Sequence, residues 1–134
     1  MIRYLLDTNI CIYLIKHHPP EARKRFTHHS PRTVAISIIT VFELEYGAQK
    51  SQYRKRTWDA LGKFLAPLNV IDLDRSSVRE SAAIRVQLEK EGLPIGPYDL
   101  LIAGSAKSQG LTLVTNNTRE FERINGLHLE NWVQ

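Results

Sequence analysis

Four acidic side chains, Asp7, Glu43, Asp99 and Glu120, and two amides, Asn9 and Asn117, are the residues whose types and surroundings could do chemistry in this sequence. Asp7 closes the apolar run Ile2 to Leu6, and Glu43 lies in the segment that follows a second such run. Asp99 comes just after Pro94, Gly96 and Pro97, while Asn116, Asn117 and Glu120 follow a run ending at Thr115. Gathered carboxylates repel one another, so some hold a proton at neutral pH unless a cation joins them. An all-oxygen set of Asp, Glu and Asn suits Mg²⁺ or Mn²⁺ rather than zinc. No Cys/His ligand pattern competes with that reading.

The segments that must position these groups alternate between strand and helix. Strands are expected at Ile2 to Leu6, Thr33 to Ser37, Asn69 to Leu73 and Leu111 to Thr115, with a last one near Leu127 to Leu129. Helices are expected over Asn9 to Lys16, from Pro20 to Phe26, from a cap at Ser37 or Thr40 to a stop at Gly47, and within the amphipathic stretch Ser51 to Leu65. Three more are expected over Ser76 to Glu91, Tyr98 to Ser108 and Thr118 to Arg123. Tyr53, Trp58, Leu61 and Leu65 recur at helical spacing and read as core. This alternation argues for an α/β fold with a mainly parallel central sheet of four to five strands. With 134 residues and neither repeat nor linker, residues 1–134 read as a single domain. Ligands of such sheets bind beyond the carboxyl ends of the strands, which is where the four acids would fall.

Each acid also has a purely structural reading. Asp7 is placed to cap the helix that follows it. Asp99 lies in a first helical turn, where the macrodipole favours a carboxylate, and Pro97 fits the first helical position. Asn117 and Glu120 have the spacing of a cap and its third-position partner. Glu43 shares a helix face with Ile39, Phe42 and Tyr46, a face expected to point at the core, and an acid there is costly unless paired or metal-bound. Glu45 points the other way and reads as solvated. Cys11 sits among apolar neighbours and reads as a buried small hydrophobe rather than a nucleophile.

Net charge is +4, and the positive charge is clustered. Arg23, Lys24, Arg25, His28, His29 and Arg32 form one group, and Lys50, Arg54, Lys55 and Arg56 another. Such clusters suit a polyanion through counterion release, although a solvated helix face would look the same. The pairs His17-His18 and His28-His29 read as surface residues. No apolar run approaches the ~20 residues of a membrane span, and Asp7 comes too early for a secretory signal, so a soluble cytoplasmic protein is expected.

Four blocks in order, Leu6-Asp7-Thr8-Asn9, Ser37 to Gly47, Pro94 to Ala103 and Leu113 to Phe121, resemble the PIN-domain ribonucleases and, among them, the VapC toxins of prokaryotic toxin–antitoxin pairs. The resemblance runs nearly end to end. It implies a PIN-like α/β/α sandwich in which Asp7, Asp99 and Glu43 are metal ligands, Glu120 is a fourth catalytic acid, and Asn9, Thr115 and Asn117 are polar supports. Some members carry Asp where Asn117 stands, which leaves the roles of Asn117 and Glu120 open. It implies Mg²⁺- or Mn²⁺-dependent hydrolysis of phosphodiester bonds in structured RNA (tRNA or ribosomal RNA), leaving a 5′-phosphate and a 3′-hydroxyl and inhibiting translation. Arg23, Lys24, Arg25, Lys50, Arg54 and Lys55 would hold the RNA backbone. The expected partners are a second copy of the chain and a VapB-type antitoxin whose C-terminal segment blocks the pocket. A phosphatase with an aspartyl nucleophile would need Asp where Asn9 stands, and a dinucleotide-binding enzyme would need glycines in place of Asp7-Thr8-Asn9. A purely RNA-binding module on this fold would gain nothing from four retained acids.

Overall fold

The computed structural model describes residues 1–134. Its five strands, β1 (Tyr4–Leu6), β2 (Val34–Ser37), β3 (Asn69–Ile71), β4 (Thr112–Val114) and β5 (Leu129–Glu130), form one sheet in the order β3-β2-β1-β4-β5. Every pairing is parallel. Strands buried on both faces need apolar residues at successive positions, which is why the sequence shows short apolar runs instead of alternation. Leu5, Ala35 and Leu113 point to one face and Tyr4, Leu6, Val34, Ile36 and Val114 to the other, so two apolar clusters sandwich the sheet.

Helices α1 (Thr8–Lys16), α2 (Pro20–Phe26), α3 (Ile38–Lys50) and α4 (Arg54–Leu65) contribute Ile10, Leu14, Ala22, Leu44, Ala48 and Leu61 to one cluster. Helices α5 (Arg75–Lys90) and α6 (Pro97–Ser108), with the short α7 (Thr118–Phe121), contribute Ile84, Leu88, Ile102, Ala106 and Phe121 to the other. Two positions show how tightly the second layer is packed. A Cβ on Gly104 of α6 would lie 2.9 Å from the Cα of Ser81 on α5, so only glycine allows that approach. Gly110, at φ +66°, makes the left-handed turn from α6 into β4.

Several boundaries and faces differ from the sequence-based expectation. α3 does not stop at Gly47 but runs to Lys50 and is ended by Ser51. Thr40, Leu44 and Ala48 make its buried stripe, and seating Ala48 in the core outweighs the ~1 kcal/mol cost of an internal glycine. The face carrying Phe42 and Tyr46 does not enter the core: these rings are 54% and 59% exposed. Glu43 sits at the border of that face and the buried stripe, and is half-buried. Tyr53 is also exposed, because it precedes α4 with non-helical angles and so falls outside its periodicity; Arg56 lies over its ring instead. The last strand is Leu129–Glu130, later than expected. His29 is no free surface residue: it stacks on the buried Trp132 at 4.8 Å and 6° and meets Tyr4 at 4.6 Å.

Candidate active site

The register brings Leu6 level with Ile36 and with Val114. The next residues, Asp7, Ser37 and Thr115, therefore emerge side by side at the carboxyl edge of the sheet. The strand order reverses at β1, whose neighbours are β2 and β4, and the loops leaving that point open a crevice. A pocket of about 510 Å³ opens there, lined by Asp7, Asn9, Glu43, Asp99 and Asn117 among others.

Asp7 does two jobs. Its Oδ1 accepts a hydrogen bond from the backbone N–H of Ile10 at 2.9 Å, capping α1, while the rest of the carboxylate faces the pocket. It is only 4% exposed. Burial pushes its pKa from 3.8 to about 6, and the charges of Asp99 and Glu43 push the same way, against hydrogen bonds from Thr115 and Ile10 that favour the ionised form. Asp99 stands in the first turn of α6, whose cap position is Gly96. Its pKa is raised too, by burial first and then by Glu120 and Glu43, with no hydrogen bond opposing.

Glu43 reaches the pocket from α3, and its Oε1 accepts from the Thr8 hydroxyl at 2.7 Å. The same hydroxyl lies 3.1 Å from Oγ1 of the fully buried Thr40. Thr8 was not singled out from the sequence, and Thr40 only as an alternative to Ser37 for the cap of α3, a place that Ser37 takes by accepting from the Ile39 N–H; the signal was the position of Thr8, directly after Asp7 at the start of a helix. Asn117 lines the pocket, whereas Glu120 stands behind it, accepting from Asn117 Nδ2 at 2.6 Å. Thr115, fully buried, accepts from the Asn117 N–H at 2.9 Å. The capping-box arrangement expected of Asn117 and Glu120 is thus replaced by a direct side-chain bond. Asn9 is exposed at the rim.

The cationic clusters lie outside the pocket. Arg23, Lys24 and Arg25 sit on α2, where Arg25 lies 3.7 Å from Glu130. Lys50 ends α3 and Arg54 and Lys55 begin α4; Lys50 Nζ lies 5.7 Å above the ring of Tyr46, which does line the pocket. Cys11 is buried and free, with burial pushing its thiol pKa well up, so it holds no reactive thiolate.

No three of the acids stand close enough to form a ready-made metal cage. The chemistry of the donor set nonetheless fits a hard divalent cation. Asp7, Glu43 and Asp99, with Asn9, Asn117 and Thr8, supply the polar lining, and it contains neither thiolate nor imidazole. Two carboxyls whose pKa values are raised by burial and by neighbouring carboxylates mark a pocket short of positive charge.

The PIN domain family profile matches residues 4–127. The chain is 45% identical over 132 residues to the tRNA(fMet)-specific endonuclease VapC of Shigella flexneri, covering 98% of this chain and 99% of that one. It is 44% identical over 133 residues to ribonuclease VapC2 of Haemophilus influenzae, covering 99% of this chain and 100% of that one. Among solved structures it superimposes on the DNA-bound VapBC of Salmonella typhimurium with a TM-score of 0.93 at 45% identity, covering 98% and 99% of the two chains.

Proposed function

This chain belongs to the PIN-domain family, in the branch of the VapC ribonucleases, and from that premise we propose that it is the toxin of a VapBC pair, a single-domain endoribonuclease that cuts a tRNA in the cytoplasm and so inhibits translation. The observation that carries the proposal is the convergence of Asp7, Glu43 and Asp99 on one pocket at the sheet's switch point, with Asp7 buried. PIN-domain nucleases generally depend on divalent metal. In this chain Asp7, Asp99 and Glu43 would hold Mg²⁺ or Mn²⁺, directly or through its waters.

When bound, such a cation would supply a water of lowered pKa and a counter-charge for the leaving oxygen. The chain's own part is to prepare the pocket. Asp7 is fixed through its bond to Ile10 and by Thr115, so its geometry is set before substrate arrives. Glu43 is steadied by Thr8. Glu120 orients Asn117 and adds negative charge beside Asp99. The cut leaves a 5′-phosphate and a 3′-hydroxyl, because water and not the ribose 2′-hydroxyl attacks. Lys50, Arg54, Lys55 and the α2 cations Arg23, Lys24 and Arg25 hold the RNA backbone.

The partners proposed are a second copy of the chain and a VapB-type antitoxin; the similar solved structure of Salmonella typhimurium is a VapBC complex. A groove of about 350 Å³ supports the antitoxin reading. It runs between α1, α3 and α4 over Ile12, Ile15, Leu44 and Leu61, and shares Ile12 and Glu43 with the acidic pocket. A segment lying in it could carry a basic side chain to the acids. The test incubates antitoxin-free protein with bacterial tRNA, in Mg²⁺, in Mn²⁺ or in chelator, beside Asp7→Asn. Discrete cuts that need metal and vanish in the variant support the proposal, with the initiator tRNA as the first substrate to examine. Equal RNA loss in all lanes would overturn it.

A further inference from the structure

Some of the largest exposed apolar side chains of the molecule gather at the mouth of the acidic pocket. Phe42, Tyr46 and Tyr98 are 54%, 59% and 45% exposed, and all three line the pocket. Phe42 of α3 and Tyr98 of α6 meet edge to face, with ring centroids 5.6 Å apart and planes at 63°. A T-shaped pair leaves ring surface uncovered, unlike a stacked pair whose faces are mutually buried. Phe42, Tyr46 and Lys50 follow one another at four-residue steps along one face of α3, about 6 Å apart along the helix. The strip therefore leads from the carboxylates, over two aromatic rings, to an ammonium group held above the second ring.

We infer that Phe42 and Tyr98 form a stacking platform for an unpaired base of the RNA next to the scissile phosphate, with Tyr46 and Lys50 taking the next base and its phosphate. The inference rests on the ribonuclease reading above and names the substrate feature it requires, a loop base turned out of its stack. Aromatic rings beside a cationic group are the usual means of holding single-stranded nucleic acid, because every base offers a π-face. Charge decides between occupants of this surface. The antitoxin segment proposed above lies in the neighbouring groove over Ile15, Leu44 and Leu61, which the three aromatic rings do not line, and an apolar protein surface laid on the rings would leave Lys50 without a partner; an RNA strand brings a phosphate for Lys50 and another, with its metal, for the acids. The platform also explains why aromatic residues stand outside the core on a helix whose other side is well packed.

The test uses Asp7→Asn protein, so that nothing is cut, and a tRNA anticodon stem-loop carrying 2-aminopurine at one loop position at a time. At one position the parent should quench the probe's fluorescence. Phe42→Leu and Tyr98→Leu, which keep apolar bulk but cannot stack, should each bind roughly 5- to 150-fold more weakly and lose the quenching. Phe42→Tyr should retain both. Replacing the same nucleotide with an abasic one should weaken the parent equally and leave Phe42→Leu no further loss, a control that does not touch the protein fold. Leu variants that bind and quench like the parent would overturn the inference. So would an affinity loss that follows only a change of oligomeric state by light scattering, which would assign this face to a protein interface. Failure of the ribonuclease reading would look different: protein with Asp7 intact would cut no RNA in metal, whatever stands at position 42.

Discussion

Asp7 offers a prediction in which stability and activity move in opposite directions. Its carboxyl is 4% exposed and protonates near 6, against 3.8 ordinarily. Between those two values the folded chain holds a proton that the unfolded chain has released, so stability falls as pH rises through the window. Below about 3.8 there is no penalty, and above about 6 it is complete. At 1.36 kcal/mol per pH unit the full penalty is about 3 kcal/mol. Asp7→Asn removes the charge and keeps a good helix-capping side chain for the Ile10 N–H. Allowing about 1 kcal/mol for the new amide's imperfect hydrogen bonding leaves a net gain of about 2 kcal/mol at pH 7.5. For a chain of this length that is roughly 6–10 °C in Tm. Differential scanning calorimetry in chelator at pH 7.5 should show the variant melting higher than wild type, and at pH 4 the gap should close and reverse slightly, leaving only the amide's cost of about 1 kcal/mol. Added Mn²⁺ should raise the wild type and not the variant, since a ligand stabilises only the state that binds it. A variant less stable than wild type at pH 7.5 in chelator, or a gap independent of pH, would mean that Asp7 is not a destabilising buried charge.

Other substitutions separate the roles of the remaining residues. Asp99→Asn removes a charge that raises the Asp7 pKa, so the Asp7 carboxyl, followed by NMR in chelator, should titrate at lower pH; RNA cleavage should fall at least ~100-fold. Thr8→Val takes away the donor to Glu43 and should slow metal-dependent cleavage ~10–100-fold, while Thr8→Ser stays within a few-fold of wild type in the same steady-state assay. Gly104→Ala should cost about 1–3 kcal/mol in a urea melt, and Ser81→Gly should recover only part of it, because the Ser81 Cα remains 2.9 Å from the added methyl.

How much of this was legible in the sequence follows from what local pattern can encode. The parallel α/β architecture was legible because β1, β2 and β4 are short apolar runs separated by helical segments, and the matching register then carries Asp7 and Thr115 to a common edge. Asp7, Asp99 and Asn117 could be nominated because each lies close after a strand or early in a helix, and Glu43 because it is an acid on an apolar helix face, although the rings of that face lie outside the core. Which side of α3 docks was not legible. Ile39, Phe42 and Tyr46 make as apolar a stripe as Thr40, Leu44 and Ala48, and only the surface waiting to receive the helix decides between them. Gly47 is a stop signal locally, yet the burial of Ala48 beyond it wins. The Thr8–Glu43 bond joins residues 35 positions apart, and His29 meets Trp132 from nearly opposite ends of the chain, so neither leaves a local trace. Glu120 lies near Asp99 and accepts from Asn117, a placement that depends on the short α7 turn and leaves no local trace in the sequence.

If a water prepared by this carboxylate pocket attacks the phosphodiester, the ribose 2′-hydroxyl at the cut site is dispensable. A tRNA substrate with a single 2′-deoxynucleotide at the mapped cut site tests it most directly. Cleavage of that substrate should remain Mg²⁺-dependent and run at nearly the normal rate, with 5′-phosphate and 3′-hydroxyl ends. Loss of cleavage on the 2′-deoxy substrate, together with 2′,3′-cyclic phosphate ends on the all-ribose one, would contradict attack by water.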